Sequence, residues 1–242
     1  MRKALVIGGS NGIGLAVAEQ LKRDHEVFVL DLVSPDLNVA ADLKYEPFDI
    51  TNDDFSILGK YQDIDSLFIT VGFGKLSLFK DIPEEMISKY FNVNTIGIIR
   101  VIKHFYSRLL AKDDFHCGVM VSIAGFMSSP FFSLYGASKA ALKIFIESVN
   151  VELEKDGTTN RILNVSPGSI KGTRFNGGQN DLSQTESLAK EIVDHLQAKD
   201  DLFIPKYEEI FKEVLERYHK DFRKEGLHSY EYKLESGRMN KQ

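Results

Sequence analysis

Apolar residues fall along this chain in two alternating rhythms. Short β-rich runs at Ala4–Ile7, Glu26–Leu30, Tyr45–Phe48, Ser66–Ile69, Gly118–Val121, Ile162–Val165 and Leu202–Ile204 stand between longer stretches with helical spacing. Those stretches run from a glycine turn through Leu21, from Pro83 to about Lys112, from about Tyr135 to Glu154, from Glu186 to Gln197, and from Tyr207 to Lys224. Pro83 followed by Glu84 and Glu85 suits a helix start, because proline fits the first helical position and carboxylates favour the positive end of the helix dipole. The alternation predicts an α/β fold, a doubly wound parallel sheet with helices on both faces. No Pro/Gly/Ser-rich linker divides it, so residues 1–225 are expected as one domain with a tail at 226–242. In such sheets ligands bind beyond the carboxyl ends of the strands. Chemistry is therefore sought just after Ile7, Leu30, Phe48, Ile69, Val121 and Val165.

Composition narrows the partners. Hydrophobic residues make up 43% of the 242 positions, enough for a full core, and the net charge is only −5 with the basic residues scattered. That argues against a nucleic-acid or anionic-membrane surface. Cys117 is the single cysteine, which excludes a disulfide framework and fits a reducing, cytoplasmic setting. No stretch reaches the roughly 20 apolar residues of a membrane span. The first apolar run stops at Gly8, too early for a secretory leader, so the chain is expected to be soluble and unprocessed. The six histidines show no metal-ligand spacing, and no metal is expected.

The first strand leads into Gly8-Gly-Ser-Asn-Gly-Ile-Gly14. Glycines at 8, 12 and 14 suit a tight turn, a close approach of backbone to pyrophosphate, and close helix–strand packing, and the helix then offers free N–H groups to phosphates. The second strand ends in Val29-Leu-Asp31. A carboxylate there can accept from adenosine ribose hydroxyls and would repel a 2′-phosphate. Asn11 and Leu32 stand where a compensating cation would be needed, so NAD is expected, with NADP disfavoured. Asp49, after the third strand, either meets the adenine edge or caps the next element.

Tyr135 and Lys139 are spaced i, i+4, which places them on one helix face a turn apart. A free phenol has a pKa of about 10, too high for base work at neutral pH, and a nearby ammonium lowers it. Ser122 lies at the carboxyl end of a strand, where its hydroxyl can hold a substrate oxygen beside the phenol.

Taken in order, Gly8-x-x-x-Gly12-x-Gly14, Asp31, Asp49, Asn94, Ser122, Tyr135-x-x-x-Lys139 and Pro167-Gly168 resemble the short-chain dehydrogenase/reductase family, over at least Lys3 to Thr173. The resemblance implies a Rossmann-like fold and hydride transfer between a nicotinamide and an alcohol or carbonyl. Tyr135 would be the acid/base, and Lys139 would bind the nicotinamide ribose and lower the phenol pKa. Ser122 would orient the carbonyl, and Asn94 would hold a water of the proton relay. The cofactor surface would comprise Gly8, Ser10, Asn11, Gly12, Ile13, Gly14, Asp31, Leu32, Asp49, Ile50, Val71, Gly72, Tyr135, Lys139, Pro167, Gly168, Ile170 and Thr173. Read without the resemblance, Asn94 is a polar group at a helix kink facing the core.

The chain departs from the family pattern in several places. Ile7 replaces a threonine, Ile69-Thr-Val-Gly72 replaces an Asn-Asn-Ala-Gly segment, Gly172 stands where a threonine is usual with Thr173 next, and Leu202-Phe-Ile-Pro205 lacks an Asp-Gly-Gly ending. An idle NAD(H)-binding regulator is the competing function, and the intact Tyr135 and Lys139 favour an enzyme. Phe73, Phe126, Met127, Pro130, Phe131, Phe132 and Phe175 fall in loops expected near the cleft and point to a partly apolar small-molecule substrate. Tyr90, Phe91, Ile98, Ile99, Ile102 and Phe105 on one long helix, with Leu142, Phe145, Ile146 and Val149 on the other, make both apolar on more than one face. That predicts a homodimer or homotetramer.

Overall fold

The computed structural model describes residues 1–35, 40, 42–52, 54–176 and 179–236. Seven strands form one sheet: β1 Arg2–Ile7, β2 His25–Asp31, β3 Lys44–Pro47, β4 Ser66–Ile69, β5 His116–Met120, β6 Ile162–Val165 and β7 Leu202–Phe203. All neighbouring pairs are parallel, in the order β3-β2-β1-β4-β5-β6-β7. The order reverses between β1 and β4, and the glycine turn opens there, at the crevice where such sheets bind ligands.

Strand alternation divides the core in two. Leu5, Ile7, Leu67 and Ile69 face one side, while Ala4, Val6 and Phe68 face the other. The second side is covered by α1 Gly12–Leu21 and α6 Glu186–Ala198. The first is covered by α3 Gly97–His104 and α5 Ser133–Lys155.

Two expected helices are subdivided. The stretch from Pro83 to Lys112 consists of α2 Glu85–Phe91, a wide π turn Asn92–Ile96, then α3 and a short α4 Tyr106–Leu110. The wide turn turns Asn94 and Thr95 inward together, where they bond to residues of α5 and the cleft. The C-terminal stretch begins as a wide turn Tyr207–Phe211, continues as α7 Lys212–Lys220, and restarts as α8 Phe222–Glu235. Asp221 makes the break. Its backbone is extended and its carboxylate accepts the N–H groups of Arg223 and Lys224, a cap that competes with helix continuation. The boundary expected after residue 225 falls inside α8, and residues 237–242 of the expected tail lie outside the described residues.

The second apolar faces of the long helices are mostly used within the chain. Tyr90, Ile98, Ile102, Phe105, Leu142, Ile146 and Val149 are buried by their own chain, and Phe91, Ile99 and Phe145 are half-buried. What stays exposed is a smaller set, Ile87, Ile96, Leu110, Ile144 and Val151. No helix among the described residues is long and apolar enough to cross a membrane.

Candidate active site

The cleft begins at the glycine loop. Gly8 has φ +86°, and a Cβ on Gly14 would stand 2.2 Å from the Gly8 carbonyl oxygen and 2.5 Å from the Thr70 hydroxyl. The Thr70 hydroxyl donates to that same carbonyl at 2.7 Å, so it ties β4 to the loop in place of the family's amide side chains. Asn11 is the extended residue before α1, and its carbonyl accepts the Leu15 N–H. Asp31 sits beside the loop: its carboxylate accepts the Ser10 N–H at 3.0 Å and the Leu32 N–H at 2.7 Å. Leu32 and Val33 are exposed there.

Two features test whether a nicotinamide dinucleotide suits this loop. The Ser10 hydroxyl is buried and has no hydrogen-bond partner, a costly state that a phosphate oxygen would relieve. The Gly12 N–H already draws an oxygen acceptor, the Asn180 side-chain carbonyl at 3.2 Å. Both fit an anion at the start of α1. Around the loop, Ile13 and Ile170 are half-buried against the α1 side of the core, and Val71 packs against the other side. The Thr173 side chain lies 3.6 Å from the position of a Cβ on Gly12, and its hydroxyl donates to the Ile170 carbonyl. The Pro167 carbonyl accepts the Ile123 N–H, and Phe211 packs on Gly168. Ile50 is buried, its carbonyl against Gly97. Asp49 binds its own turn, accepting the Thr51 N–H at 2.9 Å and hydroxyl at 2.7 Å; the next helical element begins only at Ser56, so Asp49 caps no helix.

The residues expected to transfer the proton converge at the start of α5. Tyr135 and Lys139 are 8% and 2% exposed. The Lys139 Nζ donates to the Met120 carbonyl at 2.8 Å, and a Cβ on Gly72 would stand 3.3 Å from both that Nζ and the Asn94 Oδ1. Gly72 therefore leaves the room that Lys139 and Asn94 occupy. Ser122 starts the β5–α5 connection; its hydroxyl accepts the Ala124 N–H and stands near enough to the Tyr135 phenol to lower its pKa. Asn94 is fully buried. Its Oδ1 accepts the Phe73 N–H and its Nδ2 donates to the Phe73 carbonyl, both at 2.9 Å, and also to the Ser138 hydroxyl. The Ser138 hydroxyl in turn donates to the Tyr135 carbonyl. Side-chain bonding of Asn94 is thus the helix-kink arrangement, and it clamps the Phe73 segment to α5.

The electrostatics correct one expectation. Burial pushes the Tyr135 phenol up to about 12, the Ser122 hydroxyl pulls it down, and the nearby Tyr90 phenol raises it further. The same burial lowers the Lys139 ammonium to about 7. Lys139 was expected to depress the phenol. In this structure its Nζ is turned to Met120, 6.0 Å from the phenol ring centre, and desolvation disfavours the charged form of both groups.

Aromatic rings gather around Tyr135. Phe132 and Phe175 each lie 5.3 Å from the Tyr135 ring, and Phe73 stacks on Tyr90 at 4.5 Å. Of the other loop residues expected here, Phe126 and Met127 pack instead with Ile123, Ile204, Phe211 and Leu215. Phe131 turns away from Tyr135 and is buried against Tyr230, with φ +67°, a conformation costing roughly 1–2 kcal/mol for a residue with a Cβ. Tyr90, Thr70 and Asn180 are site residues that sequence reasoning missed. Tyr90 carried only a helix-face signal, Thr70 stood in the Ile69–Gly72 segment without a role assigned to its own hydroxyl, and Asn180 sits in no motif.

Comparison with known proteins adds the family. The short chain dehydrogenase family model matches residues 2–184. An uncharacterised oxidoreductase of Staphylococcus epidermidis is 26% identical over 209 residues, covering 78% of this chain and 88% of that protein. A short-chain dehydrogenase structure from Streptomyces avermitilis superposes with a TM-score of 0.72 at 20% identity, covering 91% of this chain and 97% of the other. An alcohol dehydrogenase structure from Thermococcus sibiricus, complexed with 5-hydroxy-NADP, superposes with a TM-score of 0.70 at 18% identity, covering 84% and 95%.

Proposed function

The chain belongs to the short-chain dehydrogenase family, and on that footing we propose that it is an NAD(H)-dependent oxidoreductase interconverting an alcohol and a ketone or aldehyde. The carrying observation is the buried grouping of Ser122, Tyr135 and Lys139 beside Gly72, at the crevice opened by the glycine loop. When bound, the nicotinamide supplies the hydride or accepts it. Ser122 and the Tyr135 phenol together hold the substrate oxygen. Tyr135 gives that oxygen a proton in reduction and takes it back in oxidation. A phenol pushed up to about 12 is a ready hydrogen-bond donor, which suits the reducing direction. Lys139 binds the nicotinamide ribose from its place beside Gly72, and with a pKa near 7 it exchanges protons readily around neutral pH. Asn94 positions the Phe73 segment and α5. Asn94 is also proposed to hold a water of the proton relay.

NAD is the proposed cofactor because the Asp31 carboxylate, at the end of β2 beside the glycine loop, would meet the adenosine ribose, with exposed apolar Leu32 and Val33 next to it. The Thermococcus sibiricus neighbour was solved with 5-hydroxy-NADP, so the test compares both cofactors. Asp49 and Ile50 are proposed for the adenine edge. Residues 1–225 with α8 are proposed to act as one catalytic domain. Self-association into a dimer or tetramer would use exposed Ile96, Ile144 and Val151, and a monomer mass in light scattering at micromolar concentration would contradict it. A reducing compartment such as the cytoplasm is proposed on the single cysteine, which leaves no disulfide framework. The deciding experiment follows NADH oxidation by purified protein against a panel of ketones and aldehydes. Turnover lost in Tyr135→Phe with NADH binding kept supports the reading; turnover kept in that variant defeats it.

A further inference from the structure

The last helix bears on the substrate wall. Gly226, Tyr230 and Lys233 of α8 are spaced i, i+4, i+7 and share one face. All three meet the loop between β5 and α5. A Cβ on Gly226 would stand 3.2 Å from the Ser128 hydroxyl, so the helix backbone lies close against the loop. Tyr230 packs on Phe131 with ring centres 4.5 Å apart. Lys233 is 7% exposed, and its Nζ donates to the Ser129 hydroxyl and the Pro130 carbonyl, both at 2.8 Å. That ammonium also lies 5.7 Å from the centre of the Phe132 ring. The helix is itself fixed at its start. Asp221 caps it, and Glu225 pairs twice with Arg217 of α7, at 2.8 and 3.1 Å.

The loop needs holding. A bulky residue in the left-handed region persists only where its surroundings impose it. At Phe131 that turn sends one ring out to Tyr230 and lets the next, Phe132, lie against Tyr135. The Phe131 carbonyl accepts the Ser77 N–H at 2.9 Å, which joins the loop to the segment that carries Phe73. Anchors on two sides thus converge on the residue whose strain sets the position of Phe132.

We propose that α8 is a latch for the substrate wall: Lys233, with Tyr230, holds residues 128–132 in the conformation that sets Phe132 against Tyr135. Lys233 is then a positioning residue that decides which carbonyl compounds fit. The substrate class follows from the wall so held. Phe73, Tyr90, Phe132 and Phe175 enclose the phenol in aromatic surface, which takes a flat ring-bearing ketone in preference to a polyhydroxylated one. The substrate class rests on the redox reading above; the latch does not.

Hydrogen exchange read by mass spectrometry on the full chain tests the latch directly. In Lys233→Met and Tyr230→Ala, peptides spanning residues 126–133 should exchange faster, on the order of tenfold, while the glycine-loop peptide 8–21 keeps its wild-type rate. Lys233→Arg, which keeps the charge and the donors, should restore most of the protection. NADH affinity by fluorescence should match wild type in all three. With 1-tetralone as a flat ketone probe, Lys233→Met should raise KM by about fivefold with kcat little changed. Unchanged exchange at 126–133 in Lys233→Met overturns the latch. So does faster exchange everywhere, because Lys233 would then serve overall stability only. If wild type reduces dihydroxyacetone but not 1-tetralone, the substrate class falls. If it reduces no carbonyl compound, the redox reading falls, and the exchange experiment still decides the latch.

Discussion

The two walls of the cleft are built by different means. The cofactor wall is mostly backbone: glycines at 8, 12 and 14, the N–H groups of Ser10 and Gly12, and one carboxylate, Asp31, that orders the loop. The substrate wall is mostly side chain: Phe73, Tyr90, Phe132 and Phe175 come from four separate segments and are held by contacts as distant in sequence as Lys233. A backbone wall tolerates almost no added atom. A side-chain wall can be recut by one substitution while the fold survives. This is why chains of about 20% identity share the fold without thereby sharing a substrate.

The largest effect is expected where the walls meet. Tyr135→Phe should lower turnover by at least about 10²–10⁴-fold, the usual share of general acid/base catalysis, and leave NADH binding near wild type. Steady-state kinetics with a fluorescence titration check both halves. Near-normal turnover would remove Tyr135 from the chemistry.

Next comes a pair that sets one wall against the other. Gly14→Ala places a methyl 2.2 Å from the Gly8 carbonyl, so the loop must move. NADH affinity should fall more than about tenfold, with about 1–3 kcal/mol lost from stability in urea unfolding, as overpacking costs. Phe132→Ala should leave NADH affinity alone and change only the KM for ketones. If both variants damage cofactor and substrate binding equally, the division into two walls is wrong.

A smaller effect sharpens the cofactor side. Asp31→Asn keeps an acceptor for the Ser10 N–H and removes the charge facing a 2′-phosphate. The ratio of NADPH to NADH affinity should rise by about tenfold, equivalent to about 1.4 kcal/mol. An unchanged ratio would assign cofactor choice to other residues.

The remaining prediction concerns a pH dependence of stability. The Lys139 pKa is near 7 when folded and 10.5 when unfolded, so between those values the unfolded chain binds the extra proton. Stability relative to Lys139→Met should therefore rise with pH across that window, by at most about 1.4 kcal/mol per pH unit. Tyr135 acts in the opposite sense. Its pKa is raised from 10.0 to about 12, so its contribution is present below pH 10 and is lost between those values. Urea unfolding of wild type and Lys139→Met at pH 7.5 and 9.5 measures the first trend. A flat difference would mean that Lys139 keeps its charge in the folded protein.

Strand and helix order were legible because they depend on short-range periodicity, and each of the seven expected strands is present within two residues at either end. The glycine loop, Asp31, Ser122, Tyr135 and Lys139 were legible too, since each is fixed by its place at a strand end or a helix start. Subdivision of the two long helices was not. The wide turn at Asn94 exists because its amide answers Phe73 and Ser138, and the break at Asp221 because its carboxylate finds two N–H groups nearer than the helix would offer. Nor was the direction of the phenol pKa legible, because spacing places Lys139 near Tyr135 but does not say that both are stripped of water. By itself the sequence determined the sheet, the turn that receives a dinucleotide, and the phenol–lysine pair. Each of these is specified within a few residues of its own position. Tertiary structure alone decided which aromatic rings face the phenol and that α8 lies against the loop carrying one of them. Such contacts join residues as many as 104 positions apart, and only a folded core brings them together.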